Sequence, residues 1–277
     1  MTVSPFTPIF FLGDRKADGI ECDYVQTFSP TDRILLEVIC AFSENKPDAR
    51  LVDAETGKTI FQLVFNSWYI NDTTRLDFLS ITLNPGYYRI EITGIGSSEV
   101  FRITADELEL EKTTLIQYSM KNNRQRRDVV FFINGMQHFF DFRVHGGFKD
   151  NGWSFSVESE QFVTPLADIA QLYGLESTQK IFTLGGSAGV PIWFGEMLNR
   201  ILVCTHVYFD GEKYSRKDAG VPEVTQQLEG VNSFIFKQSL QKSNYIDPVI
   251  ETRNRLLLRR VTGNSYRITI PGTYRKI

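Results

Sequence analysis

Along much of the chain, apolar residues recur at every second position in short runs, and turn residues separate the runs. The clearest is "YYRIEI" (87–92): Tyr88, Ile90 and Ile92 share one face, and Tyr87, Arg89 and Glu91 the other, the spacing of a half-buried strand. "RILLEVICAF" (33–42), "KTIFQLVF" (58–65) and "LDFLSITL" (76–83) are rich in branched and aromatic residues, with turn chemistry at Glu55-Thr56-Gly57 and Asn84-Pro85-Gly86. Turns recur every ten or so residues without a helical period of useful length. That pattern predicts an immunoglobulin-like β-sandwich domain over residues 1–108.

The acidic stretch "TADELELEKT" (104–113) marks a boundary, and a second strand set follows. "TLIQYSM" (114–120), "RRDVVFFI" (126–133), "HFFDFRVHGGF" (138–148) and "NGWSFSVESEQFV" (151–163) are its expected strands, with Asn134-Gly135 as a hairpin turn. Two helices are then predicted. The first covers 164–174, with Thr164 as N-cap, Pro165 in the first turn, Gly174 as the stop, and Leu166, Ile169, Ala170 and Tyr173 on one face. The second covers 190–203, where Trp193, Met197, Leu198, Ile201 and Leu202 form an apolar stripe. "THVYF" and "EKYSR" flank Asp210-Gly211 as a second hairpin, and 233–240, 254–261 and 265–270 are strand-like. The expected fold class is therefore mainly β (α+β): the sandwich, then a larger β-rich assembly domain over 109–277 carrying the two short helices.

Composition adds mass to this picture without changing it. The 277 residues include 22 Phe, 11 Tyr and 3 Trp, ample for filling cores and interfaces. Charge is uneven: 9 Lys+Arg stand against 17 Asp+Glu in residues 1–110, a balance of −8, and the remaining 21 against 16 give +5. Opposite signs in two halves can steer one copy towards another, whereas +5 is too small for a dedicated nucleic-acid binder. "IFFL" (9–12) is too short for a signal-peptide core, and no run approaches the roughly 18 apolar residues of a membrane helix. No membrane partner and no signal peptide are expected, and synthesis in a cytoplasm is. Cys22, Cys40 and Cys204 form no C-x-x-C pair, so zinc and disulfide frameworks are poor readings.

One motif tempts a catalytic reading. Gly185-Gly186-Ser187-Ala188-Gly189 spells G-x-S-x-G between a strand-like and a helix-like run, as in the nucleophile elbow of acyl-transfer enzymes. The only histidine after Ser187 is His206, and Glu196 is the only acid between them. That short return leaves no room for the strands and helices that assemble a triad, so the segment is expected to be a tight turn before a helix. It also lacks the lysine of a phosphate-binding Walker loop. His138, His145 and His206 show no metal-ligand spacing. The basic clusters Lys121/Arg124/Arg126/Arg127 and Arg253/Arg255/Arg259/Arg260 suit solvated or ion-pairing loops better than a phosphate track. Nothing singles out the pairs Glu158/Glu160 or Asp14/Asp18 as general acids or calcium ligands. Trp68, Tyr69 and Trp153 are candidates for a sugar-binding platform, or for core and interface. No catalytic, cofactor-binding or metal residue is assigned, and no cofactor is expected.

The segments "TLIQYSMKNN", "HFFDFRVHGGF" and "FTLGGSAGVPIWFGEMLNRILVCTHVYFDGEKYSR" carry a resemblance. Together they resemble uncharacterised proteins of the tail and baseplate gene modules of bacteriophages and prophages of gut bacteria. The shared features are an I-Q-Y-S strand, an F-R-V-x-G-G-F strand, and a glycine turn followed by P-x-W-F, a helix through N-R-I-L and a D-G hairpin; they span much of 114–220. The resemblance implies a non-enzymatic virion component, located in the tail. It would pack against copies of itself in a homo-oligomeric ring and against neighbouring tail or baseplate proteins. It carries over no functional residue. Two other classes of function follow from the residues alone: a carbohydrate- or receptor-binding surface module built on Trp68, Trp153 and the tyrosines, and an enzyme, a hydrolase or lysin, with Ser187 as the residue to test.

Overall fold

The computed structural model describes residues 1–13, 24–149, 152–163, 169–217, 223–226, 233–243, 257–262 and 265–269. Contacts divide the chain into two compact units, Met1–Lys242 and Ser243–Ile277. The protein is β-rich, with two helices among the described residues.

The first unit begins with ten strands: β1 (Thr2–Val3), β2 (Gln26–Phe28), β3 (Ile34–Ala41), β4 (Ala49–Asp53), β5 (Thr59–Leu63), β6 (Asn66–Tyr69), β7 (Thr74–Ile81), β8 (Gly86–Ile92), β9 (Gly96–Ser97) and β10 (Phe101–Ile103). They form two sheets, ordered β1-β3-β7-β6 and β2-β10-β8-β4-β5, with β9 on β8. The sheets enclose a core that includes Leu36, Val38, Leu51, Ile90 and Phe101, making a sandwich. The Asn84-Pro85-Gly86 segment carries the chain from β7 in one sheet to β8 in the other. β3 explains its own unbroken apolar run. Ile34, Leu36, Val38 and Cys40 fill the sandwich core, while the alternate Leu35 and Ile39 pack against clusters that contain residues beyond 110. A strand buried on both faces loses the polar half of its pattern.

α1 (Glu107–Leu110) follows, its first turn capped by Asp106, whose carboxylate accepts from the Leu108 amide at 3.0 Å. The remaining elements are β11 (Thr113–Ser119), β12 (Phe132–Ile133), β13 (Met136–Gln137), β14 (Phe140–Phe148), β15 (Ser154–Val163), β16 (Ile169–Leu184), α2 (Ile192–Ile201), β17 (His206–Phe209), β18 (Glu212–Arg216), β19 (Glu223–Gln226) and β20 (Phe234–Lys242). The pairings β16–β14–β11–β17–β18–β20 return to β16, all antiparallel. This is a closed six-stranded barrel, a solution that leaves no free edge along the ring.

Register fixes which residues enter the barrel. Ile116 lies opposite both Phe142 and Phe209, Tyr118 opposite Phe140 and Val207, and Phe182 opposite Phe148 and Gln238, so these share the inward face. The rings of Phe148, Phe182, Phe209 and Tyr214 meet with centroid separations of 4.8–5.7 Å, within the favourable range for aromatic pairs. α2 adds Phe194, Met197, Leu198 and Ile201 to the same core. At Gly195 the helix comes so close to Phe236 that a Cβ would lie 2.4 Å from its ring.

Two expectations are corrected. Residues 169–174, the latter part of the expected 164–174 helix, belong to the sixteen-residue strand β16; 164–168 lie outside the described residues. Pairing of 169–179 with β15 outweighs the cap and stop signals, which also fit a turn between strands. Of the expected strand 126–133, only Phe132 and Ile133 are in a ladder, paired with β13 across Asn134-Gly135. Side chains satisfy amides here instead: the buried Glu37 accepts from Val130 N through Oε2 at 3.1 Å, and the half-buried Asn123 accepts from Phe131 N and Phe132 N through Oδ1 at 2.9 Å. Both Asn134 (φ 52°) and Asp210 (φ 48°) take the left-handed conformation the hairpin dipeptides imply.

The second unit contains a hairpin of β21 (Leu257–Thr262) and β22 (Ser265–Thr269), with an irregularity between Arg260 and Thr262.

Candidate functional site

Two surfaces of the first unit carry features that the fold alone does not require. The first is a cavity of about 490 Å³ between the sandwich and the outer face of the barrel. Inward and outward residues alternate along a barrel strand, so Gln117 on β11 faces outward beside its partners Asp141 on β14 and Tyr208 on β17. These three line the cavity with Gln137, His138 and Phe139, together with Arg33, Leu35 and Ser80 of the sandwich.

The two residues just before β3 are clamped to this outer face. Asp32 forms a bidentate ion pair with Arg143, at 2.6 and 2.9 Å, and both side chains are largely buried. The next residue, Arg33, donates its backbone N–H to Asp141 Oδ2 at 2.9 Å, while Gln117 Nε2 donates to Asp141 Oδ1 at 2.9 Å. Asp141 is 6% exposed, and each carboxylate oxygen thus has a donor. The Arg33 side chain remains: it is exposed at the cavity, and among the described residues no carboxylate pairs with it. His138 lies beside it. Burial, helped by the positive charge of Arg33, lowers its pKa, so the ring is neutral at pH 7. No hydrogen-bond partner reaches its ring nitrogens among the described residues; the ring stands edge-on to Phe78 at 5.9 Å.

The second surface is the β15–β16 hairpin. Among the described residues, 154–163 pair with β16 alone. Trp153 stacks on Phe155 at 5.9 Å and 19°, and Val157 continues the same alternation. Their exposures are 45%, 75% and 63%, although a W-x-F-x-V alternation normally marks a buried strand face. Lys180, across from Trp153, places Nζ 3.7 Å from the centroid of its ring and 5.2 Å from that of Phe148, a cation–π contact.

The sequence candidates fall elsewhere. Gly185–Gly189 is a turn, with φ of 109°, 53° and 78° at its three glycines and Gly189 N donating to Gly185 O at 2.7 Å. Added Cβ atoms at Gly185 and Gly189 would meet Phe234 O at 2.7 Å and Ser233 Oγ at 2.2 Å, which accounts for both glycines sterically. Ser187 is exposed at the turn's tip, and His206 is on β17 with Nδ1 3.3 Å from Lys213 Nζ. His145 Nδ1 meets Tyr24 Oη at 2.9 Å. Among the described residues no three His, Cys, Asp or Glu side chains could share a metal ion, and no helix is long and apolar enough to cross a membrane.

In the basic loop, Arg126 pairs with Asp128 and stands over Phe6 at 5.0 Å, while Lys121, Arg124 and Arg127 are exposed. Trp68 packs on the small cluster of Leu76, Val130 and Ile133; Tyr69 is exposed beside Phe42. Glu160 is exposed on β15 beside Glu158 in sequence. Cys40 and Cys204 are free, buried thiols. Asp14, Asp18, Cys22, Arg253 and Arg255 lie outside the described residues. The cavity residues Arg33, Asp141, Gln117 and Tyr208 were not singled out by the sequence, because only register and the sandwich–barrel contact bring them together.

No protein-family model matches the chain, and no curated protein matches it.

Proposed function

We propose that the chain is a non-enzymatic structural component of a bacteriophage tail or baseplate, built to assemble with copies of itself and with neighbouring tail proteins. The observation that carries this reading is the exposed Trp153–Phe155–Val157 row on the β15–β16 hairpin. Three large apolar side chains in a line on a two-stranded arm favour burial against another protein, because exposed contiguous apolar surface marks interaction sites. The sheet edges β5 and β19 offer strands that a neighbour in a ring would cover. The −8 and +5 halves supply opposite fields for head-to-tail contact. The sequence resemblance supports the tail assignment, and an immunoglobulin-like identity for the sandwich belongs to the same proposal.

Sedimentation velocity and negative-stain electron microscopy of the purified chain test this. Concentration-dependent ring-sized species that disappear in Phe155→Ser/Val157→Ser support the proposal; a monomer at all concentrations, with no tail protein retained, removes it.

The stacked Trp153–Phe155 pair also favours a second reading, a carbohydrate- or receptor-binding surface. Glycan-array binding that vanishes in Trp153→Ala would support it, and a blank array would dismiss it.

A further inference from the structure

The cavity between sandwich and barrel has no part in the assembly surface above; none of the residues lining it belongs to the β15–β16 hairpin. Its volume of about 490 Å³ falls within the range of small-ligand sites, and its chemistry is divided. Among its lining residues are Arg33 and His138, whose guanidinium and ring have no protein partner among the described residues. Strands β11 and β14 of the barrel add Gln117 and Asp141, side by side in register. Leu35, Phe139 and Tyr208 provide apolar and aromatic surface; the last two rings meet edge-on at 5.9 Å.

Each part constrains a ligand. An unpaired guanidinium sharing the cavity with an imidazole suits a planar carboxylate, which Arg binds through two parallel N–H donors. Asp141 has a donor on each oxygen but keeps further lone pairs, as a carboxylate has about four acceptor sites. A ligand hydroxyl could donate to those sites, whereas a second anion would be repelled. Gln117 Oε1 and Ser80 Oγ extend that set. Aromatic surface next to hydrogen-bonding groups suits the C–H face and hydroxyls of a pyranose. A bare small anion would satisfy Arg33 and leave Asp141 and the aromatic wall unused. A neutral sugar would do the reverse.

We propose that this cavity is a binding site for a hexuronate, either the free sugar or the terminal residue of an acidic polysaccharide. Its carboxylate would lie on Arg33 and His138, and its hydroxyls on Asp141 and Gln117.

The test is a titration of the labelled full chain, followed by the amide resonances of the cavity strands in NMR. The probes are methyl β-D-glucuronide, methyl β-D-glucoside, acetate and N-acetylglutamate. Arg33→Gln is the diagnostic variant. It spares the backbone bond to Asp141, so its fold should be retained, and unchanged dispersion in its spectrum checks this. Ser80→Trp, at an exposed position on the cavity wall, blocks the space without touching the charges. Arg124→Gln, outside the cavity, is the control.

The proposal expects the glucuronide to saturate shifts at Gln117, Asp141 and Tyr208. The glucoside, acetate and Arg33→Gln should each bind about tenfold more weakly or worse, the loss of one charge-assisted pair. Ser80→Trp should abolish binding, and Arg124→Gln should leave it unchanged. A uronate-ended oligosaccharide binding more tightly than the monosaccharide would identify a polysaccharide terminus as the source, and equal affinity the free sugar. Equal affinity for glucoside, acetate or N-acetylglutamate overturns the proposal, as does the absence of any shift at millimolar glucuronide.

Discussion

Replacing Glu37 by glutamine isolates the cost of one buried carboxyl. Glu37 lies at the middle of β3 with 0% exposure. Its Oε2 accepts from Val130 N at 3.1 Å, and Oε1 has no partner among the described residues. Burial raises its pKa from 4.5 to about 8, opposed by the Val130 hydrogen bond, so the folded protein keeps this side chain protonated at neutral pH. The unfolded chain ionises it near 4.5. Because the folded pKa is the higher one, the stability tied to this group is intact below about 4.5 and drains away as pH rises towards 8. The loss is about 1.4 kcal/mol per pH unit and on the order of 5 kcal/mol in all. Glutamine keeps the acceptor for Val130 N and cannot ionise. Urea unfolding of both proteins across this window should show the advantage of Glu37→Gln growing by on the order of 4 kcal/mol between about pH 5 and pH 8. Other titrating groups cancel in the difference between the two proteins. A difference that stays constant with pH would refute the reasoning, since it would mean that Glu37 has the same proton affinity in both states.

Three further outcomes follow from the packing. Asp32→Ala should destabilise by about 3–5 kcal/mol in chemical denaturation, because Arg143 would be left charged and largely buried without its bidentate partner. Gly195→Ala should lower stability by about 1–3 kcal/mol despite alanine's better helix propensity, since its Cβ would overlap the Phe236 ring at 2.4 Å; Phe236→Leu in the same chain should recover part of the loss. Cys40 and Cys204, with thiols raised by burial to about 11 and about 12, should resist alkylation at mildly alkaline pH in the native protein and react on unfolding, as read by peptide mass spectrometry.

What the sequence reveals here depends on how local the determining physics is. Asn134-Gly135 and Asp210-Gly211 declare their hairpins because each needs consecutive residues at positive φ. The 190–203 stripe likewise contains α2, since every residue of that apolar face is within one short segment. The 164–174 expectation failed for the opposite reason. Ile169 and Ala170 satisfy a helical spacing, but partners on β15 and, for the later part of β16, on β14 and β20 determine the outcome. Closure of the barrel joins Lys180–Leu184 to residues more than fifty positions away, and no local pattern encodes that. The cavity is less legible still. Gln117, Asp141 and Tyr208 are ordinary polar positions of alternating strands, and only pairing register makes them neighbours. Trp153 was visible as a candidate, whereas Phe155 and Val157 resemble core residues of a strand until their exposure is known.

Whether the exposed hairpin row joins copies of the chain is decided by sedimentation velocity of the wild-type protein beside Phe155→Ser/Val157→Ser over a range of concentrations. A large, discrete assembly is expected for the wild type and a folded monomer for the double variant. Identical sedimentation of the two proteins would contradict it.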